Sequence, residues 1–145
     1  MTEIFSRAQK AVASQPFSQL IGAELIAFEP GRAELHVPIR EQLKQQHGFV
    51  HGGVVSYAAD NTLTLAGATT LGSGGVVTSE YKINYVRPAI GDLLIARAVV
   101  MYSGKSQAVC RCDVFVVADQ QERLCATAQG TIARLSQAVE TKDRA

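Results

Sequence analysis

Eighteen consecutive residues, Val54–Leu71, carry a single charge, that of Asp60. A segment this apolar is buried almost all round, whatever its conformation. Its β-branched members, Val54, Val55 and four threonines, lower intrinsic helix propensity. The pattern nonetheless predicts a helix, because Val54, Tyr57, Ala58, Leu65 and Ala68 fit one buried face. His51-Gly52-Gly53 opens the segment and Gly72-Ser73-Gly74-Gly75 closes it, as start and stop signals should. A membrane span is excluded, since Asp60, Asn61, the threonines and the glycines interrupt the apolar run.

Beyond the glycine cluster the period changes to two. Val77, Ser79, Tyr81, Ile83 and Tyr85 alternate with Thr78, Glu80, Lys82 and Asn84, which predicts a strand. Leu93–Tyr102, Ala108–Ala118 and Leu124–Leu135 are three further β-branched-rich runs, separated by Gly104-Lys105-Ser106 and by Asp119–Glu122. Connections that short join antiparallel neighbours and suggest a four-strand meander. Upstream, Ala33, Leu35, Val37 and Ile39 alternate with Arg32, Glu34, His36 and Pro38 as a half-buried strand, and Gly22–Phe28 is extended. Thr2–Ala13 has helical spacing, with Pro16 beyond its end, and Glu41–Gln46 reads as a short turn or loop. The order implies an α+β chain in which a curved antiparallel sheet wraps one long central helix.

Asp60 stands out against this core. An unpaired buried charge costs several kcal/mol in practice, so a partner or a function has to hold it there. Three readings remain open from the residue alone: a carboxylate capping a loop, a catalytic group, or an exposed helix face. The Gly52-Gly53 pair is similarly double. It is either a tight turn into the helix or a pair of unobstructed N–H donors at the positive end of the helix dipole.

Composition narrows the function classes. The chain has 145 residues, 47% hydrophobic and 19% charged, enough for one folded domain over residues 1–136, with an N-terminal helix within 1–15 and a charged, fraying tail over 137–145. A net charge of +1 and the absence of Trp exclude a duplex or single-strand nucleic-acid binder. Cys110, Cys112 and Cys125 fit neither a disulfide framework nor a zinc ribbon, and the three histidines form no metal-binding pair on a helix. Met1–Lys10 has no apolar run of the secretory kind, so a cytoplasmic protein is expected.

The segment His51-Gly52-Gly53-Val54-Val55-Ser56-Tyr57-Ala58-Ala59-Asp60 resembles the H-G-G-x(6)-D motif of the hotdog-fold acyl-CoA thioesterases, in particular the phenylacetic-acid-degradation (PaaI-like) branch. Thr78–Pro88, ending in Tyr85-Val86-Arg87-Pro88, is similar to the strand that follows the helix in that branch, and Gly104-Lys105-Ser106 is a third, weaker match. The resemblance implies a hotdog fold and hydrolysis of an acyl-CoA thioester, without any cofactor beyond the CoA of the substrate. It implies Asp60 as nucleophile or general base, the amide of Gly52, helped by Gly53, as the group polarising the carbonyl, and Thr78 as a positioner of water. Gln45 stands where family members frequently carry Asn. His51 and Gly53 are grouped with the substrate-binding residues, although a structural role is the commoner one for the motif His, as it is for His36 and His47. Phe49, Val54 and Tyr57 would line the acyl pocket, and Arg87 and Lys105 are either phosphate contacts or plain surface charges.

The two central roles impose an assembly. Eight residues along one helix axis separate Gly52 from Asp60 by ~12 Å. A carbonyl carbon touching both needs them within roughly 6–7 Å, given near-attack distances of ~3–3.5 Å. Two helices running antiparallel across a two-fold meet that demand, so a homodimer or a homotetramer is expected. Competing readings are a hydratase or dehydratase of the same fold and a non-catalytic acyl-CoA binding protein.

Overall fold

The computed structural model describes residues 2–136; the tail expected over 137–145 lies outside the described residues. Thr2 caps the first helix, α1 (Glu3–Ser14), its Oγ1 accepting from Phe5 N–H at 3.1 Å. Pro16 does more than follow α1. It occupies the first turn of a second short helix, α2 (Pro16–Ile21), where its fixed φ fits and its missing N–H is not needed. Gly22, at φ 85°, ends α2 in the left-handed conformation, and the Arg40 guanidinium donates to the carbonyls of Ile21 and Leu20. Those are the orphan acceptors of a helix C-terminus, matched by a cation.

Strands β1 (Glu24–Glu29) and β2 (Arg32–Pro38) form a hairpin, and a 3-10 turn at Glu41–Leu43 leads to the central helix α3 (Gly52–Leu71). Four longer strands follow: β3 (Val76–Tyr85), β4 (Leu93–Ser103), β5 (Gln107–Ala118) and β6 (Gln121–Arg134). All neighbours in the six-stranded sheet are antiparallel, in the order β1-β2-β4-β5-β6-β3. The expected meander therefore holds for β4, β5 and β6 only. β3 crosses to the far side of the sheet and pairs with β6, which leaves its other edge free.

Short-range chemistry explains the hairpins. Asp119 and Gln120 both take positive φ, which gives the tight two-residue turn between β5 and β6 a twist matching its strands. Register shifts in four strand pairs mark bulges, which bend the sheet around α3.

The buried side of α3 is Val54, Val55, Ala58, Ala59, Thr62, Leu63, Ala66, Gly67 and Leu71, packed on Leu35, Val37, Leu94, Val114, Val116 and Ile132. Tyr57, Leu65 and Ala68, assigned to that face from spacing, are only half-buried. Small residues let the helix sit close to the strands. A Cβ on Gly67 would lie 2.8 Å from Cβ and Cγ2 of Ile132. Among the described residues, no helix is long and apolar enough to cross a membrane.

Candidate active site

One flank of α3 carries Gly52, Ser56, Asp60 and Thr64, each one turn beyond the last. β3 runs past this flank in the opposite direction and meets it rung by rung. Tyr85 OH donates to Gly52 O at 3.3 Å, Tyr81 OH bonds Ser56 Oγ, and Thr78 Oγ1 donates to Asp60 Oδ1 at 2.7 Å.

The last rung depends on a bulge. Thr78 pairs with Ile132 and Glu80 with Thr131, so Ser79 is an extra residue with no partner of its own. Unbroken alternation, as read from the sequence, would put Thr78 on the face opposite Tyr81 and Ile83. The bulge resets the phase, and Val76, Thr78, Tyr81 and Ile83 all turn inward. Thr78 thus reaches the half-buried Asp60.

Thr64, which the sequence reading passed over, completes the group. Its Oγ1 lies 2.8 Å from Thr78 Oγ1 and 3.0 Å from the Asp60 carbonyl. With the Thr78 proton committed to the carboxylate, the Thr64 hydroxyl is left to donate to Thr78 or to that carbonyl. Its signal was available in the sequence as a hydroxyl one helical turn after Asp60. Oδ2 of Asp60 has no protein donor among the described residues.

At the start of α3, His51 is the N-cap, and its Nδ1 accepts from Gly53 N–H at 2.8 Å. This bond turns the His51 ring back onto the helix start. The same bond occupies the Gly53 donor, so Gly53 cannot assist Gly52 in this arrangement. Gly52 N–H has no acceptor among the described residues. Beside it opens a cavity of about 300 Å³ lined by Phe49, Val50, Val55, Tyr85, Ala89 and Cys125, with Arg87 at its edge. Burial pushes the Cys125 thiol up to about 11. A larger cavity, of about 410 Å³, lies between α1 and β1, and none of the residues singled out from sequence lines it.

The remaining expected site residues separate into two groups. Phe49 and Arg87 line the cavity, although one Arg87 nitrogen is held by Leu124 O at 3.1 Å. Val54 and Tyr57 do not. Val54 faces the core, and Tyr57 OH is bonded to Ser18 Oγ at 2.5 Å and Asn61 Nδ2 at 3.0 Å, tying α2 to α3. Burial raises the Tyr57 pKa against the opposing effect of those bonds. The Gln45 side chain turns to its own loop, where it accepts from His47 N–H. Lys105 is exposed in the β4–β5 hairpin, which Ser103 ties to Thr70 at 2.9 Å. That is the far end of α3, eighteen residues or ~27 Å from Gly52 within one chain. Among the described residues, no group of three His, Cys, Asp or Glu is placed to hold a metal.

Residues 47–126 match the thioesterase superfamily. The chain belongs to that family. Its members are thioester hydrolases, and the arrangement described above is the hotdog fold. A thioesterase family protein from Silicibacter pomeroyi superposes with a TM-score of 0.84 at 34% identity, over 90% of this chain and 96% of that one. The PaaI protein of the Escherichia coli phenylacetic acid degradation operon superposes with a TM-score of 0.79 at 25% identity, over 92% and 94%. Human acyl-coenzyme A thioesterase 13 is 26% identical over 79% of this chain and 84% of its own length. The matched residues of this thioesterase hold both Gly52 and Asp60, together with all of β3, β4 and β5.

Proposed function

We propose that the protein is an acyl-CoA thioesterase working as a homodimer, or as a pair of such dimers. Asp60 supplies the carboxylate, as nucleophile or general base, and Gly52 N–H of the second copy polarises the thioester carbonyl. One observation carries the reading: a free amide at the start of α3 borders a cavity, and a carboxylate two turns along the same flank is held by a threonine hydroxyl. The separation of those groups supports a second copy, since one helix cannot bring both to one carbonyl carbon. The unpaired edge of β3, with Val77 and Tyr85 about half exposed, supports a partner on that side.

In this mechanism the acyl group occupies the apolar cavity. Asp60 takes a proton from water, or attacks directly, while Thr78 fixes the orientation of the carboxylate. The Gly52 amide receives the charge that develops on the carbonyl oxygen. Arg87 and Lys105 are the cations offered to the CoA phosphates, and no cofactor beyond that CoA is required. CoA chemistry and three unpaired cysteines suit a cytoplasmic enzyme.

The test is thiol release over a panel of acyl-CoAs, wild type beside Asp60→Asn, with subunit mass measured by light scattering. A loss of about 100-fold or more in kcat/KM, ~2.7 kcal/mol, is expected for the variant. Acyl-CoA binding without turnover would move the protein to the carriers, and a fully active monomer would sink the shared site.

A further inference from the structure

The middle rung between α3 and β3 has no part in the mechanism above. Ser56 and Tyr81 share one hydrogen bond, and each hydroxyl owns one proton. One O–H is spent inside the pair, which leaves the second free to donate outward. The pair is half-buried on the flank that carries Gly52 and Asp60. Its placement also constrains the sheet. Tyr81 pairs with Gly130, where a Cβ would come within 2.6 Å of Tyr81 Cβ and 2.5 Å of Glu80 O. A glycine in β6 thus lets the Tyr81 backbone close in on its neighbour.

We propose that the Ser56–Tyr81 hydroxyl pair is the donor that receives the departing sulfur. The proposal rests on the acyl-CoA thioesterase reading and extends it to the leaving group. Position 56 lies midway between 52 and 60. When Gly52 of one copy faces Asp60 of the other, Ser56 falls on the two-fold axis, one turn or ~6 Å from each. The acyl group fills the apolar cavity beside Gly52, so the sulfur points away from it, along the flank. Tyr85 stands nearest, but its proton is spent on Gly52 O; the next polar side chains along the flank are Ser56 and Tyr81. Water loses one proton to Asp60 as its oxygen bonds to the carbonyl carbon. The C–S bond then breaks with its electron pair going to sulfur, and the free O–H passes its proton to the thiolate. The pair recovers a proton from the Asp60 carboxylic acid through solvent, leaving a carboxylic acid and a thiol as products.

The experiment compares Tyr81→Phe and Ser56→Ala with wild type on two substrates that share one acyl group. One is the CoA thioester, whose alkyl thiolate is strongly basic; the other is the thiophenyl ester, whose thiolate is a far better leaving group. Both substitutions keep the packing volume. The expected result is a fall of about 10- to 100-fold in kcat/KM on the CoA thioester and of about threefold or less on the thiophenyl ester. Equal losses on both substrates would make the pair purely structural, and unchanged rates on both would remove it from the reaction; either overturns the proposal. A wild type that hydrolyses neither ester takes down the thioesterase reading itself, a distinguishable failure.

Discussion

Thr78→Val removes one hydroxyl and almost no volume, and it isolates what the 2.7 Å bond to Asp60 Oδ1 contributes. A hydrogen bond to a charged group is worth about 1.5–3 kcal/mol. At ~1.4 kcal/mol per tenfold, its loss should lower kcat/KM by about 10- to 150-fold. The same substitution in an Asp60→Asn background gives the decisive comparison. A hydroxyl that acts only through the carboxylate has little left to lose there. The double variant should therefore match Asp60→Asn closely, with a coupling energy of about 1.5 kcal/mol or more. The assay is steady-state thiol release for the four proteins of the cycle, with thermal unfolding of each to confirm folding. Losses that add to within about 0.5 kcal/mol would refute the reasoning, because they would make Thr78 independent of Asp60. Thr78→Ser keeps the donor and should retain most of the activity.

Three further outcomes follow from the packing. Gly67→Ala drives a methyl to 2.8 Å from Ile132, and overpacking of about 1–3 kcal/mol outweighs the ~1 kcal/mol helix-propensity gain, so the midpoint of thermal unfolding should fall by several degrees. Burial favours protonation of Glu34, but hydrogen bonds from His36 and Arg97 outweigh it and hold the carboxyl below its ordinary value of 4.5. A depressed carboxylate stabilises the fold fully above its unfolded pKa and loses that contribution as pH falls through its folded one. Urea titrations should accordingly show Glu34→Gln less stable than wild type at pH 7, with the gap closing below about pH 4. Cys110 and Cys125, each pushed by burial to about 11, and the enclosed Cys112 should resist a chromogenic thiol reagent at pH 8 until denaturant is added. Rapid labelling of native protein would contradict the packing.

The helix and most strands were legible because burial writes a period into the residues. Val54–Leu71 carries one charge, and Ala33, Leu35 and Val37 alternate cleanly, so local pattern and final environment agree. The second helix was hidden because a proline that ends one helix can equally start the next, and six residues are too few to show a period. The sheet order was hidden for a different reason. Strand type is local, but the partner of β3 is decided by how the sheet curls round α3, and no residue of β3 encodes β6. The motif placed Gly52 and Asp60, yet not the mode of support. His51 closing on Gly53 is a turn of the backbone at the start of α3, and Thr64 reaching Thr78 joins a helix to a strand, so neither contact is written as a period in the sequence. The bulge at Ser79 was the least visible feature, because one extra residue reverses the inside and outside of half a strand without altering its composition.

The position of β3 beside β6 also sets an order of assembly in time. β6 is the last strand of the sheet to leave the ribosome, and β3 has no hydrogen-bonded neighbour until it arrives. Closing a loop from Val76 to Arg134 is one of the longest-range contacts in the chain, and such contacts form slowly. Thr78 is therefore not locked against Asp60 before β6 has emerged and paired with β3. The central helix and its carboxylate wait, incompletely covered, for the final strand, and apolar surface left open in that way is prone to aggregation.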